Sequence, residues 1–299
     1  MSHPSHLHSH RPESSDFQLP LTFWVTAGLI VLLSVGAWWS HSLALWADAG
    51  HALTDLAAVA LSWYAFRQVR RPPTDRMSFG FARIEVLVAF LNGVLLMAVA
   101  SGLAVDAVHQ WHHPVASNST LMMATAAAAL LVYGGLALRF HHHDNLNLFG
   151  TWIHLLSDAA SSLAVLLGGA ILAISGWNGI NPLLTILIAI AMVLSTWRIL
   201  REALGILMEA TPPDVEPSSI VRALEAVEGV ERIHDLHIWR IGSGQTALAC
   251  HVGVDPEWKT KGQDPQVLLC QIHDALDTIG INHVTIQLEH GNEMHHEPW

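Results

Sequence analysis

The sequence predicts an α-helical membrane protein with six transmembrane helices, followed by a C-terminal α+β domain. Three observations predict this fold class. The mean hydropathy of the 299-residue chain is +0.38, only 13% of its residues are charged, and long apolar segments alternate with short polar connections. Soluble domains carry about 25% charged residues. We therefore expect the chain to lie in a bilayer, and lipid is its first predicted partner.

Six apolar segments have the roughly 20 residues that a helix needs to cross a bilayer. They cover residues 21–40, 43–66, 85–108, 120–140, 149–175 and 182–204. Arginine occurs in the connection after the second segment and at the ends of the fourth and sixth segments, whereas the alternate connections contain neither lysine nor arginine. The positive-inside rule places the basic connections and both termini in the cytoplasm. The predicted location is the cell inner membrane, with several passes.

The composition changes after the sixth segment, where Thr211–Pro213 interrupts any helix and residues 209–291 form a mixture typical of a small folded domain. Periodicity predicts the order helix, strand, strand, helix, strand (αββαβ). The predicted elements cover residues 218–227, 230–241, 245–254, 265–279 and 283–288. Residues 1–20, rich in histidine and poor in apolar side chains, are predicted to be a disordered tail, and residues 292–299 a second tail.

Histidine–carboxylate pairs stand in the second and fifth apolar segments. His51 and Asp55, and likewise His154 and Asp158, are four residues apart, so each pair shares one helix face. Ionisable side chains at the centre of a membrane helix cost about 2.5–3.5 kcal/mol each on insertion scales, so four at matched spacing favour a functional site over helix packing. Two nitrogen and two oxygen donors suit zinc, whereas magnesium and calcium prefer oxygen ligands.

Several other groups are candidates of lower rank. Asp48 lies one turn before His51 and is either an exit ligand, a proton relay or a polar residue at a helix end. The run His141–His143 is a candidate for weak metal binding, although a solvated loop is the favoured interpretation, and the histidines at 3, 6, 8 and 10 belong to the predicted tail. The chain has 2 cysteines, which we expect to be free thiols.

Three further motifs, together with the two His-x-x-x-Asp pairs, resemble the cation diffusion facilitator family of proton-coupled zinc exporters. They are SLALWADAGH at 42–51, FGFARIEVL at 79–87 and LMEATP at 207–212. The resemblance extends over nearly the whole chain. It implies that the four paired residues form the transport site, that a histidine at position 51 goes with zinc preference, and that protons are the counter-ion of an antiporter working by alternating access.

The resemblance also implies a cytosolic domain of ferredoxin-like, metallochaperone-like fold, through which two copies form a homodimer and which binds further metal. His234, His251 and His273 match ligand positions of the family. The last strand has Gln287 and Glu289 where some members place histidine and aspartate, so a binuclear site is not expected. A cytosolic Zn²⁺ site built from His234, His251 and Glu289, with His273 as a further candidate, remains.

Arg83 and Glu209 match positions that form an interdomain ion pair in the family. Such a pair would tie the third span to the cytosolic domain. The alternative is a solvated surface pair, which contributes about 0–1 kcal/mol.

Other functional classes are less compatible with these residues. A basic face that would bind nucleic acid is absent, and the sequence contains no G-x-x-x-x-G-K-[ST] phosphate loop, so transport must use a gradient. A membrane metalloenzyme is disfavoured because four protein ligands leave no open coordination position. A metal sensor would not need two ligand pairs in the membrane. The main alternative to a zinc exporter is an exporter of a broader range of metals, including cadmium, cobalt and nickel. No organic cofactor is predicted.

Overall fold

The structure is a computed structural model, and it describes residues 15–140, 146–242, 244–260, 264–281 and 283–290. Within these ranges the chain forms nine helices and three strands. Two compact units are distinguished. One contains the described residues up to Ala60 together with Val94–Thr196, and the other contains Leu61–Gly93 together with the described residues from Trp197 onward.

Six long helices occupy the segments that the sequence predicts to be membrane spans. They are α1 (Ser15–Ser40), α2 (Leu43–Val69), α3 (Arg83–His112), α4 (Ser119–Phe140), α5 (Leu146–Ser175) and α6 (Ile180–Leu207). Most ends differ from the predicted ones by a few residues. The start of α1 differs more, because Ser15–Pro20, which the sequence analysis assigned to the tail, is helical.

Hydropathy distinguishes α2 from the other five helices. By length and composition, α1, α3, α4, α5 and α6 are each apolar enough to cross a membrane. At 27 residues, α2 is about 40 Å long and equally able to span, but Asp48, His51 and Asp55 lower its hydropathy. The least hydrophobic helix therefore carries half of the predicted transport site, which is the pattern expected when ionisable residues in a membrane helix serve a function.

Small residues let the membrane helices approach closely. Added Cβ atoms on Gly36 of α1 and Gly169 of α5 would collide with Thr125 and Met123, both in α4. Small residues at helix contacts are typical of membrane bundles, where van der Waals packing holds helices together. A buried cluster that includes Leu33, mostly small or aliphatic side chains, joins α1, α2, α4 and α5.

Asn181, at the start of α6, connects three segments of the first unit and is only 1% exposed. Its side-chain oxygen accepts hydrogen bonds from Ser42 Oγ at 2.9 Å and from the backbone N–H of Ala44 at 3.1 Å, and its amide donates to Ser117 Oγ at 3.0 Å. Both ends of this buried amide are thus paired, as a polar group in a membrane protein requires. The bonds hold the first turn of α2, just before Asp48.

The C-terminal elements have the predicted αββαβ order, with one short helix added. They are α7 (Pro217–Glu225), β1 (Val230–Gly242), β2 (Gln245–Val254), α8 (Pro256–Thr260), α9 (Pro265–Asp277) and β3 (His283–His290). The sheet order is β1-β2-β3, with β1 and β2 antiparallel and β2 and β3 parallel. The predicted fold class is confirmed, whereas α8 was not predicted.

One face of the small sheet packs on the helices α7 and α9. From β2, Leu248, Cys250 and Val252 join this core, which also contains Leu268 and Ile272 of α9. Burial raises the pKa of the Cys250 thiol to about 11, so this cysteine is neutral at physiological pH. Because side chains alternate along a strand, the residues between these three belong to the opposite face of the sheet.

Candidate metal centres

Two antiparallel helices, α2 and α5, bring the four predicted residues of the membrane site together. Across the helices, His154 Nε2 lies 3.1 Å from Asp55 Oδ2, and His51 Nε2 lies 3.4 Å from Asp158 Oδ1. Along each helix, the histidine and the aspartate four residues later are 3.6 Å apart in α2 and 3.7 Å apart in α5. We call these four residues the membrane tetrad.

The separations within the membrane tetrad match a tetrahedral ion. Zinc–nitrogen and zinc–oxygen bonds of about 2.0–2.2 Å place neighbouring tetrahedral ligand atoms about 3.3–3.6 Å apart. The four nitrogen–oxygen distances span 3.1–3.7 Å, with Asp158 using Oδ1 towards His51 and Oδ2 towards His154. When one ligand atom is taken from each residue, all four lie within 4.8 Å of one another. Both imidazoles direct Nε2 to the carboxylates. The arrangement can hold one small divalent cation with two nitrogens and two oxygens.

Exposure of the membrane tetrad decreases from one end to the other. The side chain of His154 is 48% exposed and that of Asp55 is 28% exposed. The paired side chains one turn further along, His51 and Asp158, are 24% and 7% exposed. An ion therefore has its most accessible approach from the Asp55–His154 end.

Asp48 lies beyond the less exposed end of the tetrad. It accepts a hydrogen bond from Ser161 Oγ at 2.5 Å, a short distance that is usual for a hydroxyl bonded to a carboxylate. Asp48 was a candidate from the sequence, whereas Ser161 was not. A sequence signal for Ser161 exists, because this residue follows Asp158 by three residues and so lies on the same face of α5.

A second cluster lies on the sheet face opposite the helices, and it contains one residue from each strand. His234 of β1 is paired with His251 of β2 in the antiparallel register. Glu289 of β3 lies between the two imidazoles, 2.8 Å from His234 Nε2 and 2.9 Å from His251 Nδ1. We call these three residues the cytosolic cluster, and all three are partly buried.

Electrostatics favour the charged form of Glu289. Burial opposes ionisation of this carboxyl, but the hydrogen bond with His234 and the electrostatic attraction of His234 and His251 outweigh it, so the pKa of Glu289 lies below its ordinary value. The amide of Gln287 donates a further hydrogen bond at 3.1 Å. A deprotonated carboxylate is the form that binds a cation.

Asp235 is a neighbour of the cytosolic cluster that sequence reasoning missed. The β1–β2 register shifts between His234 and His237, and Asp235 has φ of 51°, in the left-handed region. Its carboxylate lies 3.0 Å from His237 Nε2 and 3.7 Å from His251 Nε2. No sequence signal announces this contact, because a strict strand alternation would direct residues 234 and 235 to opposite faces.

The predicted fourth candidate of the cytosolic cluster, His273, is not brought to it. Leu268, Ile272 and Leu276 are the buried residues of α9, at a spacing of four, and His273 is exposed. The prediction of His273 as a ligand is therefore not supported within one protomer. The tail histidines and His141–His143 lie outside the described residues.

Arg83 and Glu209 form the predicted ion pair, with Arg83 Nη2 2.7 Å from Glu209 Oε1. The pair joins the first residue of α3 to the segment just after α6. The two side chains are 44% and 59% exposed, so solvent screens their attraction.

Comparison with known proteins shows that the chain matches two protein domain families and that it has relatives of about its own length. Residues 19–208 match the cation efflux transmembrane domain, and residues 212–291 match the cytoplasmic domain of cation efflux proteins. The cadmium, cobalt and zinc/H(+)-K(+) antiporter of Bacillus subtilis is 32% identical over 94% of this chain and 91% of its own length. The zinc transporter ZitB of Escherichia coli is 34% identical over 97% and 94%. Among solved structures, the metal-bound C-terminal domain of the CzcD transporter from Cupriavidus metallidurans is 35% identical over 25% of this chain and 99% of that domain, with a TM-score of 0.22.

Proposed function

Because this chain belongs to the cation efflux family, we propose that it is a proton-coupled antiporter that exports Zn²⁺ from the cytoplasm. The observation that carries the proposal is the convergence of two imidazole nitrogens and two carboxylates between α2 and α5. The chain is a transporter and not an enzyme, as the family is one of cation efflux proteins and its relatives are named transporters and antiporters.

The donor set of the membrane tetrad supports zinc as the substrate. Zinc accepts four ligands in a tetrahedron and binds both imidazole and carboxylate. Magnesium requires six oxygen ligands at near-octahedral angles, which two histidines do not supply. His51 and His154 are thus the residues that exclude alkaline-earth ions. Imidazole also suits cobalt, nickel and cadmium, and the relative from Bacillus subtilis is named for cadmium and cobalt as well as zinc.

The energy for export comes from a gradient. A charged ion does not cross hydrocarbon unaided, so a carrier must expose its buried site alternately to the two sides of the membrane. Histidine and aspartate bind metal only in their deprotonated forms, so loading with Zn²⁺ from the cytoplasm expels protons, and protons entering from outside expel Zn²⁺. One binding site can therefore serve both the ion and its counter-ion.

The arrangement of the chain in the membrane belongs to the same proposal. Arginines of the connection between α2 and α3, together with Arg139 in the last turn of α4, support a cytoplasmic position for these ends of the helices and for both termini, in an inner membrane. The proposed domain division is the one expected from the sequence, with a transport domain (21–208), a cytosolic domain (209–291) and tails at 1–20 and 292–299, except that Ser15–Pro20 belongs to α1. We propose a homodimer formed through the cytosolic domain, which mass photometry of the detergent-solubilised protein would test.

The cytosolic cluster is proposed to bind a second Zn²⁺ that is not transported. His234, His251 and Glu289 supply three donors, one fewer than the membrane tetrad. Water or a group from the partner protomer would complete a tetrahedron.

Zinc uptake into proteoliposomes tests the transport proposal. The unaltered protein is expected to accumulate Zn²⁺ when the vesicle interior is acidic, and to stop net accumulation when the pH is clamped equal on both sides. Asp55→Asn removes one ligand charge and is expected to abolish uptake. The control is Asp106→Asn in α3, which changes an exposed aspartate outside the tetrad. Adding Cd²⁺ or Co²⁺ as competitors measures the range of substrates.

Three results would contradict the proposal. Uptake by the unaltered protein equal to that of empty liposomes would rule out zinc transport. Full uptake by folded Asp55→Asn protein would show that the membrane tetrad is not the transport site. Concentrative uptake without any pH difference or proton movement would rule out proton coupling.

A further inference from the structure

The contacts between α2 and α5 form a ladder with three rungs. Because the helices are antiparallel, residues 55, 51 and 48 of α2 meet residues 154, 158 and 161 of α5 in turn. The first two rungs are the membrane tetrad, and the third is the hydrogen bond from Ser161 to Asp48. Spacings of three and four residues keep all six side chains on the facing sides of the two helices.

The third rung closes one end of the ladder. The whole residue Asp48 is 6% exposed, whereas the side chains of Asp55 and His154 in the first rung are 28% and 48% exposed. Asp48 is near the start of α2, whose preceding connection contains no lysine or arginine and is placed outside the membrane by the proposed orientation. The open end of the ladder thus faces the cytoplasm, and the closed end faces the outside.

The closed end is also polar and incompletely bonded. Asp48 Oδ2 is buried and finds no hydrogen-bond partner among the described residues, although Oδ1 is bonded to Ser161. A buried carboxylate oxygen without a partner is costly, and water would relieve this cost if the outer ends of the helices separated. The hydrogen bond of the third rung therefore holds the two helices together in the closed state. Asp48 Oδ2, in contrast, would be better solvated in an open state in which the outer helix ends are separated.

We infer that the hydrogen bond between Ser161 and Asp48 is an outer latch, closed while the membrane tetrad faces the cytoplasm and broken when the ion is released outside. This inference rests on the proposed function and on its orientation, and it goes beyond them by assigning a gating role to Ser161. The two side chains lie one helical turn outward from the nearest tetrad residues, so an ion leaving outward must pass between them. An intact bond blocks that path.

Breaking the outer latch should increase the population of outward-facing protein. Hydrogen bonds between membrane helices correspond to about a threefold to twentyfold change in such an equilibrium. If the outward-facing state is the minor one, its apparent affinity for Zn²⁺ is reduced by its small population. The KM for Zn²⁺ supplied from outside should therefore fall by that factor when the latch is lost, while the KM from the cytoplasmic side should not fall.

The experiment compares Ser161→Ala with Ser162→Ala in full-length protein. Ser162 is the next residue, is fully buried, and its hydroxyl has no partner among the described residues, so Ser162→Ala removes a neighbouring hydroxyl of α5 without touching the latch. Zn²⁺ transport is measured in everted membrane vesicles, which present the cytoplasmic side, and in right-side-out vesicles, which present the outer side. Ser161→Thr, which keeps the hydroxyl, is expected to restore the unaltered KM values.

The expected result is an outer-side KM about threefold to twentyfold lower in Ser161→Ala, with no such change in Ser162→Ala or Ser161→Thr. Equal KM values for Ser161→Ala and the unaltered protein on both sides would overturn the latch. So would a lower maximal rate with both KM values unchanged, because that result indicates a structural role. Absence of zinc transport in the unaltered protein would instead refute the proposed function, so the two failures are distinguishable.

Discussion

The membrane tetrad and the cytosolic cluster use the same donors in two different secondary structures. In the tetrad, two helices each supply a histidine and an aspartate one turn apart. In the cluster, three strands each supply one residue, and none of the three is close to another in sequence. A metal site on helices can therefore be recognised in the sequence from the local spacing of its ligands, whereas a site on a sheet depends on the register between strands.

The two sites also differ in what surrounds them. The tetrad stands between membrane helices, and its next neighbour is the outer latch formed by Asp48 and Ser161. The cluster lies on a hydrogen-bonded sheet, which has no comparable freedom to open, and Gln287 and Asp235 contact its ligands. We infer that only the tetrad is built to open alternately to two sides. Substitutions at the two sites and beside them should therefore differ in their effects on transport and on metal binding.

The largest expected effect separates the two sites by transport. Asp158→Asn should lower the rate of Zn²⁺ uptake to below about one hundredth, because loss of a ligand should exceed the 10–100-fold that outer-shell changes cost in affinity. Glu289→Gln should leave most of the uptake intact. Initial uptake rates in proteoliposomes measure both. Equal losses in the two variants would show that the cytosolic cluster is part of the transport path.

A second prediction concerns metal binding by the cytosolic cluster. Glu289→Ala should reduce by about one the number of zinc ions bound per chain, because the carboxylate between the two imidazoles is lost. His273→Ala is the matched control and should not change the number, since His273 is exposed on α9 and outside the cluster. Equilibrium dialysis with elemental analysis gives the count. A loss of zinc in His273→Ala would instead point to a ligand supplied to the partner protomer.

The neighbours of the cluster should have intermediate effects. Asp235→Asn keeps the shape of the side chain but removes the charge 3.7 Å from His251 Nε2, and should weaken zinc binding to the cluster by about tenfold. Competition with a fluorescent chelator measures the affinity, in protein carrying Asp158→Asn so that the tetrad does not contribute. An unchanged affinity of the cluster for zinc would mean that Asp235 contributes only to the backbone conformation of the bulge in β1.

The smallest effect is expected for the ion pair outside both sites. A double-mutant cycle of Arg83→Ala and Glu209→Gln should give a coupling of about 0–1 kcal/mol in stability, because both side chains are more than one-third exposed. Thermal unfolding of the full chain measures it, and uptake should remain within about fivefold of normal. A coupling far above this range would assign the pair a structural role in joining α3 to the segment after α6.

The long helices and the residues of the membrane tetrad were predictable from the amino-acid sequence. Long apolar segments predict spans because hydrocarbon forces backbone groups to bond within a helix. The positions of His51 and Asp55 on one face follow from helix geometry alone, and the same holds for the pair in α5. The order of the C-terminal elements was also predictable, because amphipathic periods of two and 3.6 residues distinguish strands from helices.

Only the tertiary structure decided which side chains from distant segments meet. The antiparallel contact of α2 and α5 places Ser161 opposite Asp48, and strand register places Glu289 between His234 and His251. A bulge turns Asp235 towards the cluster, while the buried face of α9 leaves His273 outside it. These pairings depend on packing between elements. A pattern within one segment, such as the spacing of Asp158 and Ser161, shows which helix face a side chain occupies but not which residue of a distant segment it meets.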